Sequence, residues 1–425
     1  MTEYIRNLKS FIEKNPCSYH VTASQVETLK ENGFSELREA DDWDLKPGCG
    51  YFVTRNDSAL IAFKLPAGDI GGFRIMASHN DSPALKLKEN PDVDAEGKYT
   101  KLNVEAYGGA ILSTWFDRPL SVAGRLIVKT GEGLRTVLVN IEEDLLMIPS
   151  LAIHMDRNVN DGHKISVQKE MLPVYSLGKA EGILERLAES AGVSPEDILG
   201  HDLMVYNRQA PSVWGSEKEF FSAPRIDDCA CVYASLCAFL AANRNCKNSY
   251  VTVHAVFDNE EVGSSTRQGA ASTFLDTTLQ GICSALGYDG SKYRKMLAQS
   301  FMLSADNGHA LHPNYPEKCD PVNRTVPGKG VLLKYSANQK YTTDGYSAAM
   351  TRTLASKAGI ELQVFSNNSD IPGGSTLGNI SGNQVAIPTA DVGLAQLAMH
   401  SSYETCSAKD PEDLEKLAEA LFSEN

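Results

Sequence analysis

The chain has 425 residues, of which 42% are hydrophobic and 22% charged, and its formal net charge is −14. This length exceeds the usual limit for one hydrophobic core and predicts two domains, while the acidic balance argues against a surface for nucleic acid or anionic membranes. The first residues do not form a basic segment followed by an apolar one, and the longest apolar stretch, Cys229 to Ala242, is too short to span a bilayer. We therefore expect a cytoplasmic protein that does not enter a membrane.

The N-terminal part of the chain alternates helices with strands. Apolar residues at helical spacing predict a first helix over Thr2 to Lys14 and a second over about Val21 to Glu31. The period then changes, and two apolar runs on either side of residues 55–58 predict a β-hairpin. A buried strand over Phe73 to Ala77 follows and ends close to His79. This alternation is typical of an α/β fold.

A β-rich segment follows and lasts to about Ala223. Gly and Asn-Pro turns separate its short strands, and no long amphipathic helix occurs before Glu181 to Ala191. After Pro224 the α/β alternation resumes, with helices over Asp228–Asn243, Tyr346–Ala358 and Pro411–Phe422, and strands over Tyr250–Phe257, Phe301–Ala305, Gly330–Tyr335, Leu362–Phe365 and Val385–Ile387. We predict a discontinuous α/β domain of residues 1–86 and 224–425, interrupted by a β-rich domain of residues 87–223.

Glu260 and Glu261 are the most informative residues of the α/β domain. They come just after the apolar strand that ends at Phe257, and Gly263 and two serines follow them. Two adjacent carboxylates at a strand end suit chemistry better than core packing, because α/β folds place their sites at strand ends. One carboxylate can bind a metal ion while the other moves a proton.

Other strand and helix ends carry further candidates. Residues i and i+2 of a strand point the same way, so Asp81 can accept the second ring N–H of a metal-bound His79. A hydrogen-bonded structural pair would explain His79 and Asp81 equally well if they stood alone. Asp227 and Asp228 open a predicted helix, where capping is the competing explanation for one aspartate and a site becomes plausible for two.

Asp306 follows the strand that ends at Ala305, and His400 follows an apolar run in the same way. Two histidines and several carboxylates therefore lie at strand ends of one domain, and such ligands suit Zn²⁺, Mn²⁺ or Co²⁺. A bridging carboxylate, with one histidine and one acid on each ion, describes a two-metal hydrolase. Such a site also needs a base and one further ligand, and Glu260 and Glu261 can supply these two functions.

Six motifs, in this order along the chain, resemble the aspartyl aminopeptidase family of di-zinc metallopeptidases, in a bacterial form. They are Ser78-His79-Asn80-Asp81-Ser82-Pro83, Leu151-Ala152-Ile153-His154-Met155-Asp156-Arg157-Asn158, Pro224-Arg225-Ile226-Asp227, Asn259-Glu260-Glu261-Val262-Gly263-Ser264, Ser304-Ala305-Asp306 with His309 to Tyr315, and Gln396-Leu397-Ala398-Met399-His400-Ser401. The resemblance covers nearly the whole chain. It implies a zinc-peptidase-like α/β/α sandwich with an inserted β-rich dimerisation domain, and removal of N-terminal residues, preferably Asp or Glu, from peptides.

The resemblance also implies a metal-binding role for five residues. His79 and Asp306 would bind one zinc ion, Glu261 and His400 would bind the other, and Asp227 would bridge the two. Manganese or cobalt remain possible occupants of the same positions.

Catalysis and substrate binding are implied for six more residues. Glu260 would be the general base that takes a proton from the bridging water, and Asp81 would orient His79. Lys334 would pair with the acidic side chain of the peptide's first residue. The remaining implied substrate contacts are His154, His309 and Tyr341.

The position of His154 implies an assembly. Because His154 lies in the insertion, it must reach the site from another domain or subunit, and the family implies dimers that build a tetrahedral dodecamer open only to peptides. Two alternatives remain open. One is a di-metal aminopeptidase of neutral or basic specificity, and the other is a non-catalytic peptide-binding scaffold.

Overall fold

We describe a computed structural model in which residues 1–244 and 249–424 are placed. The α-helices in these ranges are α1 (Glu3–Lys14), α2 (Ser18–Glu31), α3 (Val167–Glu170), α4 (Ile183–Ala191), α5 (Ile226–Asn243), α6 (Phe274–Ala285), α7 (Gly290–Ala298), α8 (Gly345–Ala358), α9 (Leu377–Ser381) and α10 (Asp410–Phe422). The strands are β1 (Ser35–Leu37), β2 (Gly50–Arg55), β3 (Ala59–Lys64), β4 (Gly72–His79), β5 (Ala84–Ala95), β6 (Tyr99–Tyr107), β7 (Leu120–Thr130), β8 (Gly133–Asn140), β9 (Val174–Leu177), β10 (Ile198–Asn207), β11 (Ser212–Trp214), β12 (Phe220–Ala223), β13 (Tyr250–Phe257), β14 (Phe301–Ala305), β15 (Gly308–His309), β16 (Val331–Tyr335), β17 (Leu362–Ser366), β18 (Thr389–Gly393), β19 (Ala395–Gln396) and β20 (Glu404–Ser407).

A nine-stranded mixed sheet forms the centre of the fold. Its strand order is β1-β2-β3-β13-β4-β14-β18-β16-β17, and the four middle strands β13, β4, β14 and β18 run parallel to one another. The carboxyl ends of parallel strands meet at one edge of a sheet, where α/β folds bind their ligands. The segments that follow these four strands therefore meet at a single edge.

Helices cover both faces of this sheet. Helices α1, α2, α5, α8 and α10 pack against one face, and α6, α7 and α9 pack against the other. Successive strand residues point to opposite faces, so Phe52 of β2 enters the first core and Val53 enters the second. This arrangement confirms the predicted α/β/α sandwich.

A second, antiparallel sheet has the order β8-β7-β10-β5-β6-β9, and its strands lie between Ala84 and Asn207. It encloses a separate apolar core to which Trp115 and Leu187 of α4 contribute. The fold is thus a mixed α/β structure with a β-rich part, as expected. The exact domain boundaries remain a prediction.

One predicted strand is wrong. Val385–Ile387 is not a strand, and the chain enters the sheet four residues later, at Thr389 of β18. Pro388 stands between the two positions, and proline has no N–H to donate to a strand ladder. Helix α7, over Gly290–Ala298, was not predicted.

Helix α5 begins at the candidate site and runs through the core. Within the described residues it is the one helix whose length and composition would allow it to cross a membrane, but 78% of it is buried in the protein. Ala234, Phe239 and other α5 residues pack with α10 in the main core. That burial is typical of a core helix.

Candidate metal centre

The predicted ligands lie together at the edge described above. Strand β4 ends at His79, β13 is followed by Glu260 and Glu261, and β14 is followed by Asp306. The segment after β18 and β19 leads to His400. Four neighbouring parallel strands thus supply most of the cluster, as the strand-end argument predicts.

Asp227 lies in the middle of the cluster, at the start of α5. Its Oδ1 is 3.5 Å from Nε2 of His79, and its Oδ2 is 3.8 Å from Nε2 of His400. The Asp227 side chain is only 2% exposed. The two oxygens of one buried carboxylate therefore face two different histidines.

Each histidine also faces a second carboxylate. Nε2 of His79 is 3.9 Å from Oδ1 of Asp306, and Nε2 of His400 is 3.3 Å from Oε2 of Glu261. The ligand atoms form three sets, each with its members within 4.8 Å of one another. Two of them share Asp227, namely His79 with Asp227, Asp228 and Asp306, and Asp227 with Glu261 and His400, and the third is His79 with Glu260 and Glu261. Zinc–ligand bonds of about 2 Å place the donors of a tetrahedral site roughly 3.3 Å apart. The donor spacing therefore fits a metal ion in each of the two sets that share Asp227.

Unpaired buried oxygens support the same conclusion. Oδ1 of Asp227, Oδ1 of Asp228 and Oε1 of Glu261 are buried and have no hydrogen-bond partner among the described residues. A buried carboxylate oxygen without a partner is costly, and a bound cation removes that cost. The residues present therefore fit divalent metal ions, and imidazole with carboxylate is a donor set that suits zinc.

Asp81 connects the first histidine to the glutamate pair. Nδ1 of His79 is 3.1 Å from the main-chain oxygen of Asp81 and 3.3 Å from its Oδ1, which leaves Nε2 of His79 directed at the cluster. The main-chain N–H groups of Glu260 and Glu261 donate to Oδ1 and Oδ2 of Asp81, each at 3.1 Å. The hydroxyl of Tyr107 donates to Oδ2 at 2.7 Å. Asp81 thus orients His79 and fixes the main chain of both glutamates.

Two residues of this arrangement were not found from the sequence. Tyr107, at the end of β6, reaches Asp81 from the second sheet. Glu404 is 2% exposed, and its two oxygens accept the main-chain N–H of Asp227 at 3.0 Å and of His400 at 2.7 Å. Glu404 follows His400 by four residues, but no local pattern marks it.

Burial and neighbouring charges shift the cluster's pKa values. Burial raises the pKa of Glu260 to about 8, although His79 opposes this shift, and Asp306 adds to it. Burial lowers the pKa of His79, but the nearby carboxylates of Asp227, Asp306 and Asp81 outweigh burial and raise it well above its ordinary value. A carboxyl group that titrates near neutral pH can both accept and return a proton, which suits Glu260 to the role of general base.

Lys334 lies within the site, and its ammonium group is bonded to other residues of the site. Its side chain is fully buried, and Nζ donates to the main-chain oxygens of Asp306 at 2.8 Å and Asn307 at 3.0 Å. Nζ is also 3.5 Å from Oδ2 of Asp306 and 5.0 Å from the ring centre of Tyr341. Lys334 therefore supports a candidate metal ligand.

The other predicted substrate contacts lie at different distances from the cluster. The His309 ring packs edge-on to Phe365, and it is close enough to Lys334 and Asp227 for their charges to affect its pKa, which burial lowers. Tyr341 is buried beside the same Phe365. His154 lies in an exposed turn, and its side chain makes no hydrogen bond or ion pair with a described residue. The structure therefore brings His309 and Tyr341 to the site and leaves His154 on the surface.

A cavity of about 460 Å³ is lined by His309 and by the segment from Gln396 to Met399, which leads to His400. None of the candidate metal ligands is among the described residues on its walls. Phe365 and Leu397 contribute apolar surface. Its volume is in the range that binds small molecules.

Comparison with known proteins is consistent with this geometry. The sequence profile of a family described as "Aminopeptidase I zinc metalloprotease (M18)" matches residues 11–422. "Probable M18 family aminopeptidase 2" of Clostridium acetobutylicum is 42% identical over 430 residues, covering 99% of this chain and 99% of that protein. "Aspartyl aminopeptidase" of Dictyostelium discoideum is 36% identical over 461 residues, covering 96% of this chain and 95% of that protein. The solved "Structure of S. cerevesiae mApe1 dodecamer" matches the fold with a TM-score of 0.87 and 27% identity, covering 99% of this chain and 96% of that chain.

Proposed function

This chain belongs to the M18 family of zinc metalloproteases and is an aminopeptidase, and from that premise we propose that it removes N-terminal residues, preferably Asp or Glu, by means of two divalent metal ions. The observation that carries the proposal is the pair of ligand sets that share Asp227, with Glu260 next to them. A scaffold that only binds peptides has no need of a half-buried carboxylate next to two ligand sets.

The proposed first ion is held by His79 and Asp306, and the second by Glu261 and His400. Asp227 would bind both, because its two oxygens face the two histidines. Zinc is the proposed metal in both positions, and Mn²⁺ or Co²⁺ would suit the same donors. When bound, two such ions would acidify a water molecule and polarise the carbonyl of the scissile bond.

Glu260 moves the proton in this proposal. Its carboxylate accepts a proton from the attacking water, and the resulting hydroxide adds to the peptide carbonyl carbon. The C–N bond then breaks, and Glu260 gives the same proton to the departing amine. Asp81 keeps the main chain of Glu260 in place during both transfers, through the N–H that it binds at 3.1 Å.

Two observations support acidic substrates. A relative that is 36% identical is named aspartyl aminopeptidase. The cavity lined by His309 has no carboxylate on its walls among the described residues, although the whole chain carries a charge of −14. Its apolar surface at Phe365 and Leu397 is what favours the alternative, an aminopeptidase for neutral residues.

The proposal includes a homo-oligomer, a tetrahedral dodecamer built from dimers, in the cytoplasm. The turn that carries His154 is flanked by exposed apolar side chains, namely Leu151 at 58%, Ile153 at 47% and Met155 at 75% exposed. Exposed apolar groups of this kind mark protein–protein contacts. A solved structure of the same fold is named a dodecamer, and in such an assembly His154 would enter a neighbouring site.

A residue scan tests the proposal. Purified, metal-loaded protein is assayed on peptides that differ only in the first residue (Asp, Glu, Leu or Lys), with metal content measured in parallel. We expect two ions per chain and the highest kcat/KM for Asp and Glu. A preference for Leu or Lys would establish the alternative specificity, and two bound ions without hydrolysis would point to the scaffold.

A further inference from the structure

We propose that a short segment of the β-rich part, residues 108–111, positions Glu261 and His400, so that this part of the chain determines how tightly the second metal ion is bound. The segment follows β6, the strand of the antiparallel sheet that ends at Tyr107. This inference rests on the two-metal site of the proposed function, and it gives the β-rich part a role besides assembly.

A main-chain oxygen of this segment orients the ring of His400. Nδ1 of His400 is 3.2 Å from the carbonyl oxygen of Gly109, while Nε2 is 3.3 Å from Oε2 of Glu261. A histidine that binds a metal ion through Nε2 carries its proton on Nδ1, and an acceptor for that proton fixes the tautomer and the direction of the ring. Gly109 therefore serves His400 as Asp81 serves His79.

The main chain of His400 depends on the same segment. His400 has a φ of 67°, a left-handed conformation that is strained for any residue except glycine and persists only where the surroundings hold it. Ile111 donates its main-chain N–H to the oxygen of His400 at 2.9 Å, and Glu404 accepts the N–H of His400 at 2.7 Å. Farther along, the N–H of Ser402 donates to the hydroxyl of Thr114 at 2.8 Å. The loop of His400 is therefore bonded to the β-rich part at several points.

Gly108 brings the segment against Glu261, the other ligand of the second ion. Gly108 has a φ of 72°, and a Cβ added there would lie 3.1 Å from Cβ of Glu261 and 3.3 Å from its main-chain oxygen. Carbon atoms in contact normally lie about 3.5–4.0 Å apart, so a side chain at this position would push Glu261 out of place. Glycine is the residue that allows both the positive φ and the close approach.

The competing explanation for Gly108 is a tight turn at the end of β6, with no role for Glu261. Gly97, in the turn between β5 and β6, fits that explanation. It has a φ of 63°, and an added Cβ would have no atom within 4 Å. Because Gly97 and Gly108 share the positive φ and differ in the contact with Glu261, alanine at the two positions separates backbone strain from metal binding.

The test titrates metal-free, full-length protein with Zn²⁺ and follows binding by calorimetry, for the wild type, Gly108→Ala and Gly97→Ala. Both variants place alanine at a positive φ, so both should lower the thermal midpoint of the metal-free protein to a similar extent. We expect Gly108→Ala alone to lose affinity for one of its two ions, by about 10- to 100-fold. Its peptidase activity should return when the zinc concentration is raised.

A second pair of variants tests the hydrogen bond from Ile111. Ile111 has a φ of −77°, which proline also adopts, and proline lacks the N–H that donates to His400. Ile111→Ala also loses the side chain but keeps this N–H. We expect Ile111→Pro to bind one ion more weakly than Ile111→Ala does, in the same titration.

Three outcomes would contradict these expectations in different ways. If the wild type binds two ions and Gly108→Ala binds both as tightly as Gly97→Ala, the positioning role is disproved while the proposed function stands. If Gly108→Ala loses affinity for both ions equally, the segment has a general structural role and the inference is wrong. If the wild type itself binds fewer than two ions, the two-metal site of the proposed function is what fails.

Discussion

Two buried polar clusters lie along the same strand, β13, and they differ in whether the protein satisfies them. His254, in the middle of the strand, is fully buried and is paired through Nδ1 with Ser235 and through Nε2 with Gln25, each at 2.7 Å. Glu261, just past the end of the strand, keeps a buried oxygen that has no hydrogen-bond partner among the described residues. The closed cluster satisfies its own polar groups, whereas the open one leaves acceptors that a cation can bind.

The comparison shows which property separates function from structure. Both clusters contain a fully buried histidine, His254 in one and His79 in the other, so the burial of a histidine does not distinguish them. Unpaired buried carboxylate oxygens do, because among the described residues those of Asp227, Asp228 and Glu261 all belong to the candidate metal centre, and native proteins rarely leave buried polar atoms unpaired without a reason. The candidate metal centre is therefore recognised by buried carboxylate oxygens that lack hydrogen-bond partners.

The largest effect is expected at the open cluster, from Glu260→Gln. Glutamine keeps the size of the side chain but cannot accept the proton of the attacking water, so kcat should fall by about 100- to 10,000-fold. Metal content, measured by elemental analysis, should be unchanged, and Glu217→Gln at an exposed position is the control. Near wild-type turnover in Glu260→Gln would show that another group is the base.

Removal of the ions should destabilise the protein as a whole. A ligand at 100 to 1,000 times its Kd adds about 2.7–4.1 kcal/mol to the free energy of unfolding, and the buried carboxylates around Asp227 would otherwise face one another unpaired. Thermal unfolding with a chelator, and again after zinc is restored, measures the change. An unchanged thermal midpoint would mean that the open cluster does not need a cation.

A smaller effect is expected from Tyr107→Phe, which removes the hydroxyl that donates to Asp81 at 2.7 Å. Loss of a group that orients a metal ligand typically costs 10- to 100-fold in metal affinity or activity, and about tenfold is expected here because Asp81 keeps its two main-chain donors. Zinc affinity and kcat/KM are the measurements. Tyr99→Phe, at the exposed start of the same strand, should change neither.

The closed cluster around His254 should make the free energy of unfolding depend on pH. Burial lowers the pKa of His254 to about 3, so between this value and the unfolded value of about 6.5 the folded state binds fewer protons than the unfolded state. The contribution of neutral His254 to the free energy of unfolding is complete above pH 6.5. It is lost as the pH falls, and the free energy of unfolding then changes with a slope that approaches about 1.4 kcal/mol per pH unit.

Urea unfolding of chelator-treated protein at pH 7, 6 and 5 measures this slope. His254→Gln should reduce it by the share of one histidine, since His20, whose pKa is lowered to about 4 by burial, still contributes with the same sign. Equal slopes in the two proteins would show that His254 does not remain neutral in the fold.

Local signals explain how much of the site was predictable. His79, Glu260, Glu261 and Asp306 each stand beside a strand that the sequence marks clearly, so their convergence followed from the geometry of a parallel sheet. Glu404 accepts the main-chain N–H groups of His400, four residues earlier, and of Asp227, which reaches it only through tertiary structure. Any residue can supply a main-chain donor, so residue identities do not reveal these bonds.

The burial of Lys334 could not be predicted from the sequence. A lysine in a strand normally keeps its ammonium group in water, and its full burial depends on two carbonyl oxygens and a carboxylate from β14's loop. Pro388, by contrast, is a signal that the sequence does contain. Because proline cannot donate to a strand ladder, it places the strand on its C-terminal side and not over Val385–Ile387.

The wide separation of the ligands along the chain has a consequence for folding. Asp227 faces His79 on one side and His400 on the other, and Glu404 holds the loop of the second histidine. A partly synthesised polypeptide that ends before residue 400 lacks His400 and cannot complete the second ligand set of the proposed site, whatever structure its earlier residues have reached. On the proposed two-metal mechanism, peptidase activity arises late during folding, when the most distant segments have come together.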